Sequence, residues 1–458
     1  MTTLSAPAGS SGPSALDRAR RKAYWRVLPL LFAAYGIAYA DRANVSIAKL
    51  TMTKDLPGFD NAVIGFGAGV FFWGYFLLEI PGSILVEKWS ARKVLCRIMI
   101  TWGLMAALTA VVKTPLQFYG VRFMLGLAEA GFFPGVVVYL THWFPSRDRT
   151  RALALFFVAT PVTQILSPKI SNALLRIGTD ETSNGVSVHH PAWLGLQGWQ
   201  WVYIFWGIPA VVLGGMVFFL LKDRPRDAAW LSPGERDALE QQLALEKTSR
   251  GGSRMTLLQA FRHPKVLWLI LAYFCSITGS YGLEFFLPSI LQRWYGLKLD
   301  AITWLIILPP CLALVTQLFI GWNSDRLRER RFHTLVPLSL AALALGLAPL
   351  TAGHLTLTVL CFMVAFAGLK SYLPAFWSLP NLFLTDVAAA GTIGLINSVG
   401  NLGGFFGPAV LGKVETITGS FTGGLYYLCI SVGCSALIIF LLGLGRQEAK
   451  PDHFRPPN

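Results

Sequence analysis

Residues 201–221 read WVYIFWGIPAVVLGGMVFFLL, a run without one charged side chain. A helix needs about 20 mostly apolar residues to cross the hydrocarbon of a bilayer. It suits that setting because it satisfies all of its own backbone polar groups. The rest of the 458-residue chain is of the same kind, 54% apolar and 14% charged, where an ordinary soluble domain carries roughly 25% charge. Twelve spans would use roughly 240 residues and leave the remainder for loops, tails and a linker. With 201–221 as the template, spans are expected near 26–49, 62–86, 94–112, 116–141, 151–175, 200–221, 265–290, 301–321, 334–352, 355–379, 388–412 and 422–444. The expected fold class is an all-α polytopic membrane protein with 12 transmembrane helices in two six-helix halves.

The longest polar interruption sets the organisation: tail 1–25, first bundle 26–221, linker 222–264, second bundle 265–444 and tail 445–458. In the linker, Ser232-Pro-Gly-Glu235 followed by Leu239, Leu243 and Leu245 reads as a capping box opening a short amphipathic helix. That helix is expected to lie along the cytosolic face. The first span leads into Asp41-Arg42 rather than a small-residue cleavage site, so it is expected to be retained.

The net charge of +15 reports topology. Of the 39 Lys and Arg, 28 fall in the tails, the linker and the even-numbered loops on one side, and 7 on the other. Basic loops stay in the cytoplasm, so both termini are expected there, in the inner membrane of a bacterium, with no nucleic-acid partner. The six cysteines lie in or beside apolar runs without metal-ligand spacing. His189-His190 lacks further ligands, and no P-loop is present. No metal, no cofactor and no enzyme activity is therefore expected.

The halves echo each other. Ser83-Ile-Leu-Val-Glu87-Lys88 with Arg92 follows the second span, and Gly321-Trp-Asn-Ser-Asp325-Arg326 follows the eighth. An acid four residues after a small residue, repeated in register, suggests a gating loop whose acid caps a neighbouring helix. Repeated halves are a mark of secondary transporters.

These motifs resemble the signature G-x-x-x-D-R-x-G-R-R of the major facilitator superfamily. The second copy matches at Gly321, Asp325 and Arg326, and the first departs at Ser83, Glu87 and Ser90. Within it the chain is similar, end to end, to the anion:cation symporters. The carrying segments are Tyr39-Ala-Asp41-Arg42-Ala-Asn44, Arg122-Phe-Met-Leu-Gly126-Leu-Ala-Glu129-Ala-Gly131 and Asn397-Ser-Val-Gly-Asn401. Ser324-Asp325-Arg326, Tyr281-Gly-Leu and Phe376-Trp377-Ser-Leu-Pro380 look most like the branch carrying tartrate, phthalate and other organic acids.

Eight ionisable residues interrupt the spans: Asp41, Arg42, Glu79, Arg122, Glu129, Lys169, Glu284 and Lys370. Each costs about 2.5–3.5 kcal/mol at a span centre, so they should pair, face the bundle interior or line a wet cavity. At 1.5 Å per residue, Asp41 and Arg122 come within about 5 Å in depth, and Glu129 lies two turns beyond Arg122 on the same face. A buried carboxyl can carry a proton, whereas an arginine stays charged and grips a carboxylate at two points. The resemblance implies Asp41 and Glu129 as proton sites, Arg42 as substrate clamp and Arg122 as pairing base. Tyr39, Tyr75, Gln164, Trp377 and Asn397 are candidates to complete the pocket. Glu284 and Lys370 lie outside the family pattern, and an estimated 13 Å of depth separates them at the helical rise. A salt bridge and a substrate contact stay equally open for them, with Lys370 a natural second anchor for a diacid. Lys169 is expected to snorkel to the surface.

The expected function is proton-coupled uptake of an organic carboxylate by a monomer. Sodium coupling, exchange, and a receptor that binds the acid without moving it remain as alternatives.

Overall fold

The computed structural model describes residues 14–183, 186–249, 262–383 and 386–445, apart from a few side chains within them. Twelve helical segments follow in order. Spans 1 to 3 are Ala15–Asp55, Asn61–Lys88 and Ala91–Leu108. Span 4 comes in two pieces, Pro115–Glu129 and Phe132–Thr141, as does span 5, Ser146–Phe157 and Ala159–Leu175. A short hairpin, Asp180–Ser183 with Val186–His189, precedes span 6, Gly198–Leu220. The linker helix is Pro233–Ser249. Spans 7 to 9 are Pro264–Tyr295, Leu299–Leu327 and Arg331–Leu347; span 10 is Leu355–Ser371 with Leu373–Phe376. Span 11 is Asp386–Gly400 with Gly403–Thr418, and span 12 is Thr422–Leu442.

Among the described residues, ten of these segments are long and apolar enough to cross a membrane, which makes this a multi-pass membrane protein. The two others have physical reasons to fall short: span 1 carries Asp41 and Arg42 at its middle, and span 11 is interrupted after Gly400. The break in span 4 matters most. Thr114 and Gln117 close a capping box around Pro115 at the first helical position, and the helix runs until Gly131 turns left-handed at φ +84°. Only glycine takes that conformation without strain. Gly82 of span 2 presses against this turn, since a Cβ there would meet the Gly131 Cα at 2.8 Å. Glu129 therefore ends its helix at a kink in the interior.

Both described chain ends and the linker helix lie at one end of the bundle, the basic end. At the opposite, far end the halves close on each other. Span 2 meets span 11 so closely that a Cβ on Gly65 would sit 2.3 Å from the Pro408 carbonyl oxygen, and one on Gly412 2.2 Å from that of Asn61. Asn61 donates to Glu415 at 2.7 Å and Asn172 to Asp300 at 2.6 Å, with Arg176 also on Asp300 at 2.5 Å. Lys169 does more than snorkel, because its ammonium sits 3.5 Å over the Trp304 ring of the other half.

Lys49 of span 1 is buried at this closure, its ammonium 3.5 Å from the centre of the Phe286 ring and without a hydrogen-bond partner. A ring face returns up to about 2 kcal/mol to a desolvated ammonium, less than the several kcal/mol lost on burying the charge. Lys49→Met is therefore expected to raise the unfolding temperature by a few degrees. A thermal melt in detergent checks this, and a lower melting point would mean that the ammonium is stabilised there.

At the basic end the linker helix docks on the first half. Glu235 accepts from Lys22 at 2.7 Å and from the Ser232 backbone N–H at 2.9 Å, the latter being half of the expected capping box. Those donors hold its carboxyl down to about 2. Trp230 stacks on Trp143 at 5.3 Å, and Tyr24 donates to the Asp148 carbonyl oxygen. The gating loops depart from the expected latch. In the second copy Asp325 pairs with Arg330 at 2.6 Å within its own loop, while Glu329 caps span 9 through the N–H groups of Phe332 and His333. The capping acid is thus Glu329, which sits next to the helix start, and Arg326 lies over Trp322. In the first copy Ser90 and the Arg92 backbone N–H both donate to Asp223 at the end of span 6. The Glu87 side chain lies outside the described residues, and Lys88 closes span 2 as an exposed residue.

Candidate functional site: charged clusters between the halves

Asp41 and Arg42 are neighbours on span 1, so their side chains leave the helix about 100° apart. Arg42 turns toward spans 2 and 4. Its Nε and one terminal nitrogen both donate to Glu129 Oε1, at 2.7 and 2.6 Å. The guanidinium lies between the rings of Phe71 and Tyr75, 5.3 and 4.9 Å from their centres. Both donors use one oxygen, and Glu129 Oε2 is buried without a partner. This pairing differs from the expectation that Arg122 is the base facing Glu129.

Arg122 is fully buried, and none of its three nitrogens finds a hydrogen-bond partner. It lies 5.2 Å from the Phe71 ring centre, with Asp41, Glu129 and Tyr203 in electrostatic range. Asp41, also fully buried, accepts from the Trp102 indole N–H at 3.2 Å and leaves Oδ1 unpartnered. The expected direct pair of Asp41 and Arg122 is thus replaced by action at longer range. An indole on span 3 occupies the carboxylate.

A second cluster bridges the halves. Tyr39 donates to Glu284 Oε1 at 2.7 Å, and Gln164 donates to the Tyr39 oxygen at 2.7 Å and to Glu284 Oε1 at 3.1 Å. Lys370 reaches Glu284 Oε2 at 3.3 Å and the Tyr39 oxygen at 3.5 Å. The 13 Å depth gap expected between Glu284 and Lys370 is closed in the structure, because span 7 continues to Tyr295 and carries Glu284 deeper.

A third group joins span 2 to span 11. Asn397 donates to Glu79 Oε1 at 2.8 Å and accepts from Tyr273 at 3.4 Å, while Trp377 packs edge-on to Tyr273 at 4.9 Å. Glu79 was legible as an intramembrane acid but had no partner in the reading of the sequence. Its place against the other half could be found only in three dimensions.

Access separates these residues. Arg42, Glu284 and Lys370 keep 18, 12 and 20% of their side-chain surface, whereas Glu129 keeps 1%. Two cations, one from each half, can therefore meet a solute, and each already holds an internal carboxylate. Asp41, Arg122 and Glu129 are sealed behind them. Such a site can bind anions and can exchange an internal carboxylate for an external one.

Residues 31–408 match the model of the Major Facilitator Superfamily. A protein of Agrobacterium vitis named "Putative tartrate transporter" is 38% identical over 94% of this chain and 93% of its own length. The "Inner membrane transport protein RhmT" of Escherichia coli (strain K12) is 33% identical over 95% of this chain and 98% of its own. Among solved structures, a bacterial homologue of the human lysosomal transporter Spinster, in an inward-facing and unoccupied conformation, superposes with a TM-score of 0.71. It shares 18% identity, and the match covers 95% of this chain and 98% of that one.

Proposed function

The chain belongs to the Major Facilitator Superfamily of transporters, and from that premise we propose that it takes up an organic carboxylate together with protons across a bacterial inner membrane. The observation that carries this reading is the fork of Arg42 on Glu129, at 2.6 and 2.7 Å. While Glu129 is ionised, it occupies the guanidinium that an incoming carboxylate needs. A proton on Glu129 weakens that pair and frees Arg42, so proton and anion enter together. An arginine stays charged throughout and suits two-point recognition of a carboxylate. The unpartnered Asp41 Oδ1 beside Arg122 offers a second place for a proton.

The basic end is the cytoplasmic one in this reading, from the distribution of Lys and Arg. The closed far end then faces outward, and the partly accessible Arg42, Glu284 and Lys370 are reached from the cytoplasm. Rocking of the two six-span halves would open the far end by separating span 2 from span 11 and Lys49 from Phe286. The domain boundaries 1–25, 26–221, 222–264, 265–444 and 445–458 and a monomeric state belong to the same proposal. The names of its relatives favour an acid of the tartrate kind.

The test is uptake of radiolabelled tartrate by proteoliposomes with an inside-alkaline pH gradient in sodium-free buffer. Accumulation above the external concentration is expected, lost when an ionophore collapses the gradient. Accumulation only on adding sodium would replace the proton with sodium. Binding without any uptake would favour the receptor.

A further inference from the structure

We propose that Lys370 is the anchor for a second carboxylate, so that the site selects dicarboxylates: Arg42 of the first half takes one end and Lys370 of the second half the other. This rests on the carboxylate-transport reading above and adds to it a substrate class and the residue that sets it.

The geometry separates Lys370 from a purely structural ion pair. Strong charge-assisted N–H···O hydrogen bonds run at about 2.7–2.9 Å. Lys370 stands 3.3 Å from Glu284 and 3.5 Å from the Tyr39 oxygen. An ammonium has three donors, and here two of them make long contacts. Glu284 in turn does not depend on Lys370, because its other oxygen takes Tyr39 at 2.7 Å and Gln164 at 3.1 Å. The carboxylate is thus fixed by the first half, and it acts as a resident counter-ion for the lysine. Lys370 can turn to an arriving carboxylate without leaving Glu284 bare.

The two anchors share one space. Tyr281 lies within electrostatic range of Arg42, Glu284 and Lys370 alike, and all three of those side chains keep partial access. Because the cations belong to different halves, a molecule with carboxylates at both ends would draw the halves together, whereas a monocarboxylate would be gripped by one.

The experiment compares tartrate with threonate, in which one carboxyl is replaced by CH2OH, by calorimetric binding to purified protein. Wild type is expected to bind tartrate at least tenfold more tightly. Lys370→Met should bring tartrate down to the affinity of threonate and leave threonate unchanged. Glu284→Gln, which removes the competing counter-ion and keeps the Lys370 charge, should tighten tartrate severalfold and decides the matter if Lys370→Met does not fold. Equal affinity of wild type for the two acids, equal losses for both in Lys370→Met, or weaker tartrate binding in Glu284→Gln would overturn the second anchor while the carboxylate reading stands. Binding of neither acid to wild type would remove both.

Discussion

Glu129→Gln is expected to abolish accumulation of the acid against its gradient while leaving exchange across the membrane intact. In the structure Glu129 has one task visible from its contacts, which is to occupy Arg42 through a single oxygen at 2.6 and 2.7 Å. Its second oxygen is buried and unpartnered, the place where a proton would sit. Glutamine keeps the shape and a carbonyl oxygen for Arg42 but carries no charge, so it imitates the protonated side chain in every state. Arg42 is then permanently available, and binding should hold or tighten. What is lost is the obligation to bring a proton and to give it up on the other side. Counterflow and gradient-driven uptake measured on one batch of vesicles check this. Counterflow near the wild-type rate with uphill uptake reduced to background is expected, and full uphill uptake would move the coupling to Asp41.

Arg42→Lys is expected to weaken binding by about tenfold to a hundredfold, in keeping with about 1.5–3 kcal/mol for a hydrogen bond to a charged group. The ammonium keeps the charge but loses the planar fork that meets both oxygens of a carboxylate. It also gives up the flat face packed between Phe71 and Tyr75. The residue sits on a helix whose other contacts do not need the guanidinium, so the melting temperature should move little. Titration of tartrate onto the purified variant gives the answer, and unchanged affinity would place the clamp elsewhere.

The sequence made the helices legible because bilayer spans announce themselves by length and apolarity, and it made the intramembrane charges legible because they stand out in such runs. Which charge meets which was less accessible. Glu129 is taken by Arg42 of span 1, although Arg122 precedes it by two turns on the same unbroken helix segment, and spacing within one helix does not say which neighbouring helix supplies a partner. Lys49 stands at the last residue of the expected span 1, 26–49. The helix runs to Asp55, and the lysine is buried under Phe286. The depth gap between Glu284 and Lys370, which left a salt bridge and a substrate contact equally open, was overestimated for the same reason, a span continuing past its expected end. Contacts between halves, such as Asn397 on Glu79, depend on the packing of segments hundreds of residues apart, which no local pattern encodes.

The measurement closest to the central claim is the movement of protons caused by the substrate alone. Tartrate added to lightly buffered proteoliposomes without any imposed gradient should make the outer medium more alkaline as the acid enters, in sodium-free solution. Vesicles carrying Glu129→Gln should take up the labelled acid down its gradient and leave the pH unchanged. Entry of labelled tartrate into wild-type vesicles with no change in external pH would contradict proton coupling through Arg42 and Glu129.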